Sequence, residues 1–198
     1  MLKQIMGAGL TALALASTGP AAATELGDDG LHVVPWVETT FFDLREDLAD
    51  ATAAGQRLLV MIEQRGCIYC THMHEEVYPT PVIETLLNDA FFVVRLNMHG
   101  SAEVIDFDGE VMEERDISRR WRNMFTPALM FFPETVDEGV TGAEAAVVTM
   151  PGAFGVGTLH DLMIWVLEHG YEGEEDFQRY HARMITERAE SGQSLGGD

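Results

Sequence analysis

The chain has 198 residues, 46% of them hydrophobic, and carries 33 acidic against 12 basic side chains for a net charge of −21. That length suits one domain with a substantial core. The negative charge argues against nucleic acid and anionic membrane surfaces as partners, and serves either attraction of a basic partner or solubility.

The opening stretch "MLKQIMGAGLTALALASTGPAAATE" places Lys3 before an apolar run from Ile5 to Ala16. Pro20 breaks the run, and Ala21–Ala23 supplies an A-x-A site. This is the layout of a secretory signal peptide. The run is shorter than the roughly 20 residues that span a bilayer. It predicts a signal over 1–23 cleaved near Ala23, and a mature protein in a bacterial periplasm without stable membrane insertion. Lys3 is the sole lysine, so its loss leaves 11 arginines against 33 acids.

Residues 24–35 read as a loose, polar lead-in. A helix is predicted over 39–56, with Phe41, Leu44, Leu48 and Ala51 on its apolar face and a stop at Gly55. "RLLVMIE" (57–63) reads as a strand buried on both faces. Gly66 turns the chain, and a helix starts at Cys67 and runs to about Val77, punctuated by Pro79 and Pro81. "PVIETLLND" (81–89) gives a short helix and "AFFVVRLNM" (90–98) a second buried strand. A hairpin is expected over 103–112, turning at Asp108-Gly109. "EERDISRRWRNM" reads as a helix. "TPALMFF" (126–132) is a strand entered through a proline. An acidic, glycine-bearing turn leads to a fourth strand over 145–152. The stretch 157–170 is an amphipathic helix with Leu159, Leu162, Met163, Val166 and Leu167 on one face. A charged helix over about 173–190 and a short tail end the chain. The order is α/β at first, closing with an antiparallel strand pair and a helix.

Both cysteines lie in "RGCIYCTHMHEEVY". A Cys67–Cys70 bridge closes too small a loop to stabilise the fold much, so chemistry explains the pair better than stapling. The pair follows a buried strand and opens a helix, where free N–H groups and the helix dipole favour a thiolate. Cys67 is therefore the expected nucleophile, with an exposed sulfur and a lowered pKa. Cys70, one turn on and facing inward, is the expected resolving thiol. Arg65 and His72 stand close enough in sequence to add positive charge. Glu63 is the nearest carboxylate to accept the Cys70 proton, although strand alternation allows it equally to face solvent. Tyr69 is expected either to cap the site and shape partner contact, or to pack. Thr126-Pro127 is a candidate cis bond that would expose the Thr126 backbone to an extended substrate segment; a trans proline starting an edge strand is the alternative. A metal reading also stands. Cys67, Cys70 and His74 share one helix face at i, i+3 and i+7 and suit copper or zinc, with His99 a possible fourth ligand. His72 points elsewhere.

Taken together, the buried strand, "GCIYC" opening a helix, the distant "TPALMFF" strand and "MPG" before the last amphipathic helix resemble the thioredoxin fold over roughly residues 36–170. The longer pattern "EQRGCIYCTHMHEEVY…FFVVRLNMHGSAEVIDFDGE…FTPALMFFPE" is similar to the periplasmic thioredoxins of the sulfur-oxidation cluster, the SoxW type. The resemblance implies an α/β thioredoxin-like fold, a central mixed β-sheet flanked by helices, with the hairpin as an insertion before the cis-proline strand. It implies Cys67 as nucleophile, Cys70 as resolving cysteine and Pro127 as the cis-proline after Thr126. No cofactor is expected beyond a redox-active Cys67–Cys70 disulfide. The implied activity is that of a periplasmic thiol–disulfide oxidoreductase. It would reduce oxidised proteins such as sulfur carriers and draw electrons from a membrane thiol transporter of the DsbD/CcdA kind. An oxidase or isomerase of the same fold is the alternative. A monomer is expected, with residues 171–198 as a C-terminal helix and frayed tail. The chain departs from thioredoxin in having Ile68-Tyr69 between the cysteines. It also has Met61 where thioredoxin has its buried aspartate.

Overall fold

A computed structural model describes residues 25–196, so the signal-like segment 1–23 lies outside the described residues. The apolar run Arg57–Glu63 forms β1, buried throughout from Leu58 onward. Strand β2, Phe91–Asn97, runs parallel beside it with Leu59 opposite Val93. Glu103–Ile105 (β3) and Val111–Glu113 (β4) make a separate hairpin, with Gly109 at φ 87° in its turn. A glycine suits that left-handed position because it has no Cβ to clash. Ala128–Phe131 (β5) pairs antiparallel with β1, and Val148–Pro151 (β6) pairs antiparallel with β5. The central sheet thus has the order β2-β1-β5-β6 and is mixed.

Among the described residues, seven α-helices surround the sheets. They are α1 (Leu44–Ala53), α2 (Ile68–His72, running on into a π-helical turn Met73–Val77), α3 (Pro81–Asp89), α4 (Glu114–Arg120), α5 (Gly142–Ala145), α6 (Val156–Leu167) and α7 (Phe177–Ser191). Side chains alternate across β1 and so feed two cores. Leu59 and Met61 join Trp36, Tyr78, Leu159 and Met163 on one face. Leu58, Val60 and Ile62 join Leu44, Phe107 and Trp121 on the other. This double burial is why β1 reads as an unbroken apolar run.

Some expectations are corrected. Helix α1 begins at Leu44, because Asp43 accepts the Arg45 N–H and caps it. Phe41 therefore falls outside the helix and is 94% exposed, not part of its apolar face. The acidic turn before β6 contains α5, closed by a capping box between Thr141 and Glu144. Helix α7 starts at Phe177, later than periodicity suggests, because Asp176 caps it. The lead-in is not loose where it meets the first core: Leu31 and His32 are buried.

Two buried carboxylates organise the periphery. Asp106 follows β3 and accepts from Arg120, from the Trp121 indole N–H at 3.0 Å and from the Gly142 N–H at 2.8 Å, joining hairpin, α4 and α5. Gly142 has to be small there, since a Cβ would lie 2.3 Å from the Trp121 ring. Asp161 sits among the buried residues of α6 and receives both Arg188 Nη atoms, at 2.6 and 2.7 Å, from α7. His181 Nδ1 adds a 2.6 Å contact. Burial alone would raise the Asp161 pKa, but the Arg188, His181 and His160 hydrogen bonds outweigh it and hold the carboxyl below its usual range.

Asp47 is the opposite case. Burial pushes its pKa up to about 7, against a hydrogen bond from Thr40 Oγ1 that lowers it. The folded protein therefore holds this proton where the unfolded chain, titrating near 3.8, has lost it. Stability from this group falls as pH rises from about 4 to about 7. Asp47→Asn should flatten that decline and raise the melting temperature at pH 8, with little change at pH 4. Melting curves across this range would show it, and a decline left intact in the variant would refute the assignment.

Candidate active site

The dithiol is built by the junction of β1 and α2. Gly66, at φ 72°, turns the chain out of the strand, and Cys67 becomes the N-cap of the helix. Cys67 and Cys70 form a disulfide with Cα atoms 5.2 Å apart. The Cys67 Sγ accepts the Cys70 backbone N–H at 3.0 Å and the Thr126 hydroxyl at 3.3 Å. The Thr126 carbonyl oxygen stands 3.5 Å away, where a reduced thiol can donate to it. Two donors aimed at one sulfur at the head of a helix favour its thiolate. The Thr126–Pro127 peptide is cis, and the Gly152 N–H donates to the Pro127 carbonyl at 2.7 Å, tying this loop to the end of β6.

The expectation of an exposed nucleophile is corrected in degree. Cys67 is 7% exposed and Cys70 1%, because the Thr126 loop lies against the Cys67 sulfur. The sulfur is reached through a surface groove of about 1050 Å³ lined by Ile68, Tyr69, Met124, Phe125 and Gly152 beside it. Its four large apolar side chains are all exposed, so Tyr69 forms the rim of the site and is not a packing residue.

Arg65 lies along Gly30 of the lead-in, and His72 pairs with Glu76 on the exposed helix surface at 3.3 Å. Glu63 does not face solvent. It is fully buried, and its Oε1 is hydrogen-bonded to His74 Nε2 at 2.8 Å. Arg95 Nη1 stands 3.9 Å from the other oxygen. Cys67, Cys70 and His74 therefore do not assemble as a ligand set, since the cysteines bond each other and the His74 ring turns to Glu63. His99 is likewise elsewhere, against Gln64.

The cluster that does assemble is His32, Glu63 and His74, all buried, with ligand atoms within 4.8 Å of one another. The two imidazoles stack at 4.2 Å between centroids, and Trp36 and Tyr78 enclose His74. Burial, and then His74, hold the His32 pKa below its usual value. Burial, and then the Glu63 carboxylate, push the Tyr78 phenol up. Glu63 and the His-x-His after the cysteines are visible in sequence. His32, far upstream in a polar stretch, carries no local signal.

A model of the thioredoxin-like domain matches residues 44–145, and the chain belongs to that family. Solved structures are similar at low identity. A thioredoxin-fold protein from Helicobacter pylori is 11% identical, with a TM-score of 0.52 over 74% of this chain and 92% of that one. A thioredoxin from Thermus thermophilus is 22% identical, with a TM-score of 0.47 over 63% of this chain and 84% of that one. No curated protein matches the chain. Family, fold and the Cys-x-x-Cys disulfide together define a thiol–disulfide oxidoreductase. Among the described residues no helix is long and apolar enough to cross a membrane.

Proposed function

We propose that the protein works in the periplasm as a reductase of disulfides in partner proteins. The observation that carries the reading is Cys67 itself. It caps a helix, its sulfur holds two hydrogen-bond donors, and it opens to an apolar groove. An oxidised substrate segment would lie in that groove beside Thr126, with Tyr69 and Phe125 against its side chains. Cys67 attacks the substrate disulfide, one substrate sulfur leaves as a thiolate, and a mixed disulfide forms. Cys70 then attacks Cys67, releasing the second substrate thiol and regenerating the intramolecular disulfide. The proton lost by Cys70 needs an acceptor, and Glu63, buried at the end of the preceding strand, is the candidate. The next cycle needs two electrons, for which a membrane thiol transporter of the DsbD/CcdA kind is the proposed donor. The similarity to the sulfur-oxidation thioredoxins supports this direction and makes oxidised sulfur-carrier proteins the proposed substrates.

The test is a redox titration of the mature protein against dithiothreitol and glutathione buffers under chelator. A potential near that of thioredoxin, about −270 mV, is the expected result. A value near the strongly oxidising end, about −120 mV, would make the protein a disulfide donor and overturn the direction.

A further inference from the structure

The pair Glu63–His74 is more than a buried salt link, because three features around it ask for another occupant. His32 adds a second imidazole from a distant segment, so that two nitrogen ligands and a carboxylate converge, all three residues buried. Among the described residues, Glu63 Oε2 is fully buried and has no hydrogen-bond partner. The Tyr78 hydroxyl, on a ring that packs against His74, is buried and also lacks one. Leaving such atoms unpaired forfeits their solvation without return, and native interiors rarely tolerate two together.

We propose that His32, Glu63 and His74 form a binding site for one zinc-type divalent cation. Two imidazoles and one carboxylate are a three-ligand set suited to a borderline ion, with a fourth position left for an oxygen donor. Arg95 is the competing cation. Its guanidinium lies 3.9 Å from Glu63 Oε2, beyond hydrogen-bond range, and it donates to the His32 carbonyl, fixing the segment that carries this ligand. The stacked rings, tilted by 16°, do not yet share one point in both ring planes. Binding therefore requires the His32 ring to turn about its Cβ–Cγ bond, while Trp36 stays stacked on His74. The ion would join the lead-in, the end of β1 and the helix that carries the dithiol.

The site shares Glu63 with the redox reading, and the test keeps the two apart by measuring binding in a protein without the dithiol. The Cys67→Ser/Cys70→Ser protein, stripped with chelator, is titrated with zinc chloride by calorimetry. One ion per chain is expected, with a melting temperature that rises on adding zinc. His32→Gln on the same background should weaken binding at least about tenfold and abolish the zinc-dependent rise. His32 lies in an irregular segment, so this variant should fold, which circular dichroism checks. If it does not fold, the imidazole proton resonances of His32 and His74 in the parent decide, and both should shift at one equivalent. No stoichiometric binding, binding unchanged in folded His32→Gln, or unshifted resonances would overturn the site. Glu63 and Tyr78 would then be satisfied by buried water.

Discussion

Cys70→Ser accumulates stable mixed disulfides between Cys67 and partner proteins, and Cys67→Ser loses disulfide exchange down to the uncatalysed background. The asymmetry follows from the two environments. Cys67 caps the helix, holds the Cys70 N–H and the Thr126 hydroxyl on its sulfur, and opens to the groove. Cys70 is 1% exposed and has no route to a protein substrate. Without the Cys70 thiol the mixed disulfide has no internal attacker, so it persists until external thiol removes it. Non-reducing electrophoresis after mixing with an oxidised protein, together with an insulin reduction assay, reads both variants. Full reductase activity in Cys67→Ser would reverse the assigned roles.

Arg188→Ala costs about 3 kcal/mol of stability, the lower end of what removing one partner of a buried ion pair costs. It leaves Asp161, 1% exposed, with histidines in place of a two-pronged guanidinium. For a chain of this size that loss lowers the melting temperature by about 6–12 °C. The pH dependence has a definite sign. Asp161 has a depressed pKa in the folded protein, so its contribution is present above the unfolded value near 3.8 and disappears as pH falls through the folded value. The variant should therefore differ most from the parent at neutral pH and converge with it in acid. Adding Asp161→Asn to Arg188→Ala should recover part of the loss at neutral pH. Equal melting temperatures for parent and Arg188→Ala at pH 7 would show that the Arg188–Asp161 pair does not hold α7.

The core strands were legible because β1 and β5 are buried on both faces and show it as apolar runs, while β2 carries the apolar stretch Phe91–Val94 before Arg95 breaks it. The dithiol was legible because its spacing and its place between strand and helix are local. Helix α1 looks longer in sequence than it is, since Phe41 fits the helical period but Asp43 caps the helix only after it. Asp161 was hidden inside an otherwise apolar face of α6, and its partners Arg188 and His181 belong to a helix that reads as merely charged. His32 was hidden for a related reason. A residue whose neighbours come from segments far along the chain leaves no periodic trace. Glu63 stands out in sequence only as the carboxylate nearest Cys70, and the structure adds its hydrogen bond to His74.

The hydrogen bonds converging on Asp106 also bear on how the molecule opens. One carboxylate joins the turn of the hairpin, the end of α4 and the start of α5. None of these short pieces can detach alone without stranding a buried charge. They should exchange their amide hydrogens as one cooperative unit, with a shared opening free energy below that of the central sheet. The hairpin then behaves as a rigid shoulder of the domain, a fixed shape rather than a loose flap.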